Sequence, residues 1–548
     1  MENDRSLRVF PALVRHFFSR FFDKESLSPQ GDPEAGVIQT LGILAAPGAF
    51  FVLLFRPLSF TGWDLVAVRY LFVSFSMIVM GFIMVFEWDA LFPDRRDYQI
   101  LTPQPLRLST LFLAKTTALA LFLGVFLVDV NFFGALFWPG IDDRPGVLNT
   151  LCSHALAVLA GGLFSALALA TLQGVLITVL RGNLYRRVSV FLQALLMGLL
   201  VMLLFLSPLA GARMPWMAEH HPEYLYYFPG FWFTGLYETL RPATHSAVLR
   251  GVGGFAWRAL GCAAVVFLLT YLPGYRGHSR RALETPQPGA AGPGRIRAWC
   301  DDVLRRAVLR HPVEYAVFHF ITQTITRSMK HRLFLAVYGG FGAAMAVVSL
   351  ASGHAGLFEL PLTLSFILIS GLRAAFNFPS ELAANWAFQL TETSGIGPYM
   401  AAMRKWIVVC AVVPLFGLLL PMEFARFPWP VVLFHFTFGL ALSVVLMEVL
   451  FLGFRKVPFT CAHFPGKVNL VFLSVMYVFG FTTYSGTMAH VESWLEIRPV
   501  AAVLFFAAAG LAWFMLARFG RRVLGPKAAL DYEDPADPVV RTLGIATR

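Results

Sequence analysis

Charge is what this chain has least of. Only 14% of its 548 residues are Asp, Glu, Lys or Arg, while 57% are hydrophobic and the mean hydropathy is +0.65. A soluble domain carries about 25% charged residues, so the scarcity points to a membrane environment. Cysteine is sparse as well. Cys152, Cys262, Cys300, Cys410 and Cys461 are scattered, mostly in or beside apolar runs, with no CxxC pair. No disulfide framework is expected from them. Catalytic signatures are missing: there is no GxxxxGK[ST] loop to cradle phosphate, no HExxH and no GxSxG. The largest expected inner loop, 274–332, is shorter than the ~100–150 residues of a usual domain. The chain is therefore expected to be no enzyme, with no catalytic residue, metal or cofactor of its own. The first 35 residues carry five basic side chains but no small-residue cleavage site, so no secretory signal is expected.

What the chain does have is apolar length. Runs of about 20 residues, enough to cross a ~30 Å hydrocarbon core, fall near 37–55, 67–87, 109–137, 151–180, 189–211 and 254–273. Six more fall near 333–351, 358–375, 404–423, 430–453, 468–489 and 498–517. The expected fold class is all-α: a polytopic membrane protein of about 12 transmembrane helices. With the N-terminus inside, the inner segments hold 33 Lys and Arg and the outer loops 7, while Arg69, Lys115, Arg258 and Arg373 lie in or at the ends of spans. That asymmetry leads us to expect both termini in the cytoplasm and the cell inner (plasma) membrane as location. The net charge of +12 is spread between apolar runs rather than gathered on one face, so no nucleic acid is expected as partner.

Residues 8–24 place Phe10, Leu13, Val14, Phe17, Phe18, Phe21 and Phe22 at helical spacing among Arg15, Arg20 and Lys24. This pattern suits a helix lying in the membrane interface against lipid, with a short soluble helix packed on the protein as the alternative. A second such helix opens at His311-Pro312, mixing Phe318, Phe320, Ile321 and Ile325 with Arg327, Lys330 and Arg332. The two halves match in order. Pro93 and Pro379 are 286 residues apart, Lys115 and Lys405 290, Arg187 and Lys467 280. We therefore expect two parallel six-helix repeats, each preceded by an amphipathic interfacial helix. The divisions expected are an N-terminal amphipathic helix (1–35), a first repeat (36–273), a linker with the second amphipathic helix (274–332), a second repeat (333–517) and a tail (518–548). The Gly-, Pro- and Ala-rich start of the linker, 274–294, reads as flexible.

Two polar interruptions organise the rest. Phe86–Lys115 and Phe376–Lys405 each carry an aromatic-proline pair after a span, then an acidic, aromatic-bearing segment, then a basic residue at the next span. In the first, Pro93, Asp94, Arg95, Arg96, Asp97 and Tyr98 suit a helix start with proline early and an acid in the first turn. In the second, Pro379, Glu381, Asn385, Trp386 and Glu392 occupy the related place, and a short helix there would fit a partner's groove. A plain loop between spans is the alternative. The outer loop 212–253 gathers His220, His221, Tyr224, Tyr227 and Trp232, read either as an external re-entrant or gate element or as an aromatic interface belt. Cys461 and His463 offer half a zinc site without partners. Asp129, Arg258 and Glu448 sit toward span ends, where snorkelling makes charge cheap.

These features resemble the transmembrane permease of an ABC transporter of the type-2 exporter class. The resemblance implies an amphipathic helix before six spans, a coupling helix between spans two and three that docks on an ATPase subunit, and short re-entrant helices outside between spans five and six. Carried to this sequence, coupling helices are expected over Pro93 to Leu101 and Pro379 to Leu390, and a re-entrant element over Tyr224 to Leu240. The implied partners are separate ABC ATPase subunits that bind ATP and Mg, together with membrane lipid and a small or amphipathic transported substrate. Family members are usually six-span halves that dimerise. Here both halves are expected in one chain, so a single copy could serve as permease, and the second half lacks the long external loop. An ion-coupled secondary transporter, with helices broken at Pro208 or Pro414, stays open as an alternative, as does a lipid-modifying membrane enzyme.

Overall fold

The computed structural model describes residues 2–22, 46, 48–49, 64–88, 108–142, 145–180, 182–241, 247–284, 295–392, 395–461, 470–524 and 530–533. Among the described residues the chain is helical, without a strand. Ten of the helices are long and apolar enough to cross a membrane. They fall on the second to tenth and the twelfth expected spans. The first expected span, 37–55, lies almost wholly outside the described residues. The chain divides into two compact units, Met1–Pro288 and Gly289–Arg548, with the boundary inside the stretch expected as linker.

Unit 1 contains α1 (Glu2–Phe22), α2 (Leu65–Phe86), α3 (Leu108–Phe137), α4 (Val147–Val179), α5 (Gly182–His220), α6 (Pro229–Leu240) and α7 (Ala247–Glu284). Asp64 starts α2 by accepting a hydrogen bond from the Val66 amide at 3.1 Å. α2 is the most enclosed helix of the unit, packed by α4, α5 and α6. The amphipathic stripe of α1 packs on protein rather than facing lipid: Leu13 and Phe17 are buried in one cluster with Leu111, Ala114 and Ala118 of α3, and the Lys115 ammonium sits 5.8 Å over the Phe17 ring. This defines a near end of the unit, where α2 ends and α3 begins. Two expectations are corrected. α5 passes through Pro208 and Pro215 without a break. α7 continues to Glu284, so residues 274–284 are helix rather than linker; Arg280, Arg281, Ala282 and Leu283 are good helix formers.

Unit 2 contains α8 (Arg295–Ala307), α9 (Pro312–Arg327), α10 (Met329–Ala351), α11 (His354–Ala375), the short α12 (Trp386–Thr391), α13 (Ile396–Ile407), α14 (Val413–Arg426), α15 (Trp429–Leu450), α16 (Leu470–Thr482), α17 (Met488–Glu496) and α18 (Pro499–Leu524). His311 caps α9 through its ring nitrogen, with Pro312 in the first turn. The ninth expected span is one long run, α13 and α14, joined by a π-helical turn at Val408–Val412. Pro414 follows at once; it cannot donate, and its ring would crowd the carbonyl four residues back, which the widened turn relieves. A second π turn at Thr483–Thr487 joins α16 to α17. It turns the hydroxyl of the half-buried Tyr484 to Ser365 at 3.1 Å and Ser443 at 3.5 Å. The outer loop expected at 490–497 is thus mostly helix, and the second half does carry a short element of nine residues between its last two spans.

α6 meets α7 backbone to backbone. A Cβ added at Gly235 would lie 2.5 Å from the Leu249 carbonyl oxygen, and one at Gly253 would lie 2.5 Å from that of Gly235. Neither backbone can yield as a side-chain end could. Gly235→Ala and Gly253→Ala should each destabilise by about 1–3 kcal/mol through overpacking, seen as earlier thermal unfolding in detergent. Gly261→Ala, with nothing within 4 Å of the added carbon, should be neutral or slightly stabilising.

Candidate functional site

The second polar interruption is held rigidly at the near end of unit 2. Its first part, Pro379 to Glu381, is extended rather than helical; helical geometry begins at Leu382 and becomes α12 at Trp386. Phe459, on the loop after α15, clamps the entrance. Its N–H donates to the Phe376 carbonyl at 3.2 Å and its carbonyl accepts from the Ser380 N–H at 2.9 Å. It does so with φ of +70°, a left-handed conformation costly for an aromatic residue. Buried contacts with Phe376, Phe320 and His331 hold it there. His331 also holds the Phe378 carbonyl through Nε2 at 3.0 Å.

The sequence-selected residues of this segment separate into two groups. Asn385 is buried, and its Nδ2 donates to the carbonyls of Thr460 at 2.7 Å and Glu533 at 3.0 Å. Glu392 accepts from the Leu530 amide at 3.2 Å. Both are anchors. Glu381 is exposed and Pro379 half-buried. Trp386 is 62% exposed and Leu390, one turn on, is 75% exposed, so α12 presents an apolar edge on an anchored base. Pro93, Asp94, Arg95, Arg96, Asp97 and Tyr98 lie outside the described residues. Of that first interruption, Trp88 is buried, donating to Ser189 Oγ at 2.9 Å, and its carbonyl accepts from Gln173.

Charged contacts tie α13, the helix that follows α12, into the bundle. Arg404 pairs with Glu448 of α15 at 2.9 Å, and Lys405 with Glu314 of α9 at 2.6 Å. Glu448 is therefore buried and paired rather than snorkelling, because the last turn of α13 supplies its cation. Arg258 fits the snorkelling expectation, lying exposed 4.1 Å over the Phe255 ring.

At the far end of unit 1, a 3-10 turn over Pro222–Tyr226 and the helix α6 fill the stretch between α5 and α7. His220 stacks on Trp216, His221 contacts Glu223 at 3.1 Å and stacks on Tyr224, and Tyr227 is exposed. Trp232 donates to the Tyr226 carbonyl at 3.0 Å. His220, Tyr224 and Tyr227 are thus exposed, while His221 and Trp232 are half-buried. Beneath them lies a network that sequence reading missed. Arg69 of α2, fully buried, pairs with Asp142 at 3.3 Å and with Glu238 of α6. The Tyr237 hydroxyl donates to Asp142 at 2.6 Å. Trp138 donates to Tyr237 at 3.3 Å, and His154 stacks on Trp138 at 4.2 Å. Arg241 closes the edge on the Pro145 carbonyl and Thr150. A lone Arg inside an apolar run was the available signal.

Cys461 is buried with its thiol toward the Asp531 carbonyl, 3.5 Å away, and burial raises its pKa; His463 lies outside the described residues. Among the described residues no group of three or more metal-binding side chains converges. No protein-family model, curated protein or solved structure matches the chain.

Asn385→Ala should leave two carbonyls without their donor, costing about 1–3 kcal/mol locally and speeding hydrogen exchange over 376–392. Trp386→Ala, which removes an outward side chain, should leave exchange there unchanged. Lys456, buried in the same cap with Nζ 2.6 Å from the Cys461 carbonyl, is lowered by desolvation from its ordinary 10.5 to about 8. The folded cap then binds fewer protons than the unfolded chain between those values. Stability should therefore rise with pH upward from about 8, until the thiol of Cys461 begins to ionise in the unfolded chain near 9. Protease resistance of the 530–533 segment measured across that window checks this, and Lys456→Met should flatten the slope.

Proposed function

We propose that this chain is the permease of an ATP-driven exporter in the cell inner membrane, with its near ends cytoplasmic and separate ABC ATPase subunits as partners. The observation that carries the reading is α12. An apolar edge of Trp386 and Leu390 is held out from a base fixed by Asn385, Phe459 and Glu392. Burying two large apolar side chains in a partner's groove would supply roughly 1.5–3 kcal/mol each. The fixed base lets a pull on α12 reach α13, and the pairs Arg404–Glu448 and Lys405–Glu314 pass it to α15 and α9. The Pro93–Tyr98 stretch is proposed as the matching element of the first half. The seating of α1 on α3 and the folded external helix α6 support the same reading.

A small or amphipathic substrate would pass on closure of the ATPases, and one chain with both halves would suffice. A secondary transporter is the second reading, favoured by the two π turns that interrupt spans of unit 2. Purification of the full chain from its native cells, with ATPase activity assayed on what accompanies it, separates the two. The ATPase should accompany wild type and fall at least about tenfold with the double variant Trp386→Asp and Leu390→Asp. A chain that purifies alone, or a silent double variant, would sink the exporter reading.

A further inference from the structure

The far end of unit 2 encloses a side-chain set that the docking reading does not use. Glu423 lies in the last turn of α14, His435 in the second turn of α15 and Glu492 on α17. Their exposures are 0%, 2% and 0%. His435 Nδ1 is 2.6 Å from a Glu492 oxygen, and its Nε2 is 3.7 Å from a Glu423 oxygen. The imidazole thus stands between two carboxylates, with the Phe358 ring of α11 edge-on at 5.2 Å. Both Glu423 oxygens, the second Glu492 oxygen and His435 Nε2 have no hydrogen-bond partner.

No Lys or Arg among the described residues pairs with either carboxylate. Arg426, at the end of α14, is exposed. Arg498, before α18, lies over the Trp494 ring at 4.2 Å. On α17, Glu496 adds negative charge and His490 turns back to the Gly486 carbonyl. Glu359 on α11 is half-buried and supplies no cation.

Unit 1 shows what such a place requires. Asp142 and His154 lie 281 residues before Glu423 and His435, with the same twelve-residue spacing between acid and histidine. There the two buried acids, Asp142 and Glu238, are both paired with the fixed guanidinium of Arg69. With the offsets of 286 and 290 that relate the two polar interruptions, the place of Arg69 falls at Ala355 or Glu359 in the opening of α11, and neither is a cation. Two unbalanced carboxylates in an apolar bundle cost several kcal/mol each, so unit 2 needs an exchangeable cation where unit 1 has a permanent one. Convergence of donors for a metal is absent among the described residues, and a zinc ion would want three or four ligands.

We propose that Glu423, His435 and Glu492 form a proton-binding site. One proton makes an imidazolium held between two carboxylates; a second makes one carboxylate a neutral acid and removes the net charge. The protons belong to the set rather than to one residue. Because the folded site holds protons that the unfolded chain has lost near neutrality, stability must fall as pH rises through its range.

The test uses the purified full chain in nanodiscs and is independent of any ATPase. The melting temperature of wild type should drop as pH is raised from about 6 to about 9, and Glu423→Gln and Glu492→Gln should each clearly reduce that drop while matching wild type at the acid end. Wild type near neutrality should also show the infrared C=O stretch of a protonated carboxyl, lost in at least one of the two variants. Wild-type pH dependence retained in both variants, or no such band in wild type, overturns the proposal. If one variant fails to fold, the other and the wild-type band decide.

Discussion

The guanidinium of Arg69 sits where water does not reach, and the far end of unit 1 is arranged to answer that charge. Asp142 comes from the turn after α3, Glu238 from α6, and Tyr237 and Trp138 complete the ring of contacts. An ion left unpaired in an apolar bundle would cost several kcal/mol. The folding back of α6 between α5 and α7 is thereby tied to the ends of α2 and α3. The close approach of Gly235 and Gly253 brings α6 against α7.

The two units treat the same problem differently. Each buries an acid and a histidine twelve residues apart. Unit 1 satisfies the acid with a permanent cation. Unit 2 sets a second glutamate on the other side of the histidine and has no permanent cation there. Its helices are also interrupted by π turns at Val408–Val412 and Thr483–Thr487. Permanent pairing makes a rigid end, whereas an exchangeable charge makes one that responds to conditions. At its near end unit 2 is rigid instead: the strained Phe459, the buried Asn385 and the tail residues 530–533 hold the base of α12.

Much of this was legible in the residues. Apolar runs about 20 residues long can only be satisfied as helices in a membrane, and ten of the twelve expected spans coincide with described helices of that length. The aromatic face of residues 8–24 was legible for the same reason: its 3.6-residue period allows one buried stripe, and Leu13 and Phe17 occupy it. Trp386 stood out as an aromatic in a polar segment, and it is exposed.

Partnership was not legible. Asn385 and Trp386 are adjacent and both polar-segment residues, yet one is an anchor and the other a free edge, because only the placement of the 451–461 loop and residues 530–533 decides which faces inward. Glu448 read as a snorkelling charge, and Arg404, 44 residues earlier, makes it a buried pair. The sets around Arg69 and His435 each draw on three separate stretches of chain. Local pattern alone determined which segments are helical and which lie in the apolar phase, since those follow from hydrogen bonding and hydrophobicity along the chain. Which charges meet, and which are left to find a proton, was decided by tertiary packing, since it depends on distances between residues far apart in sequence.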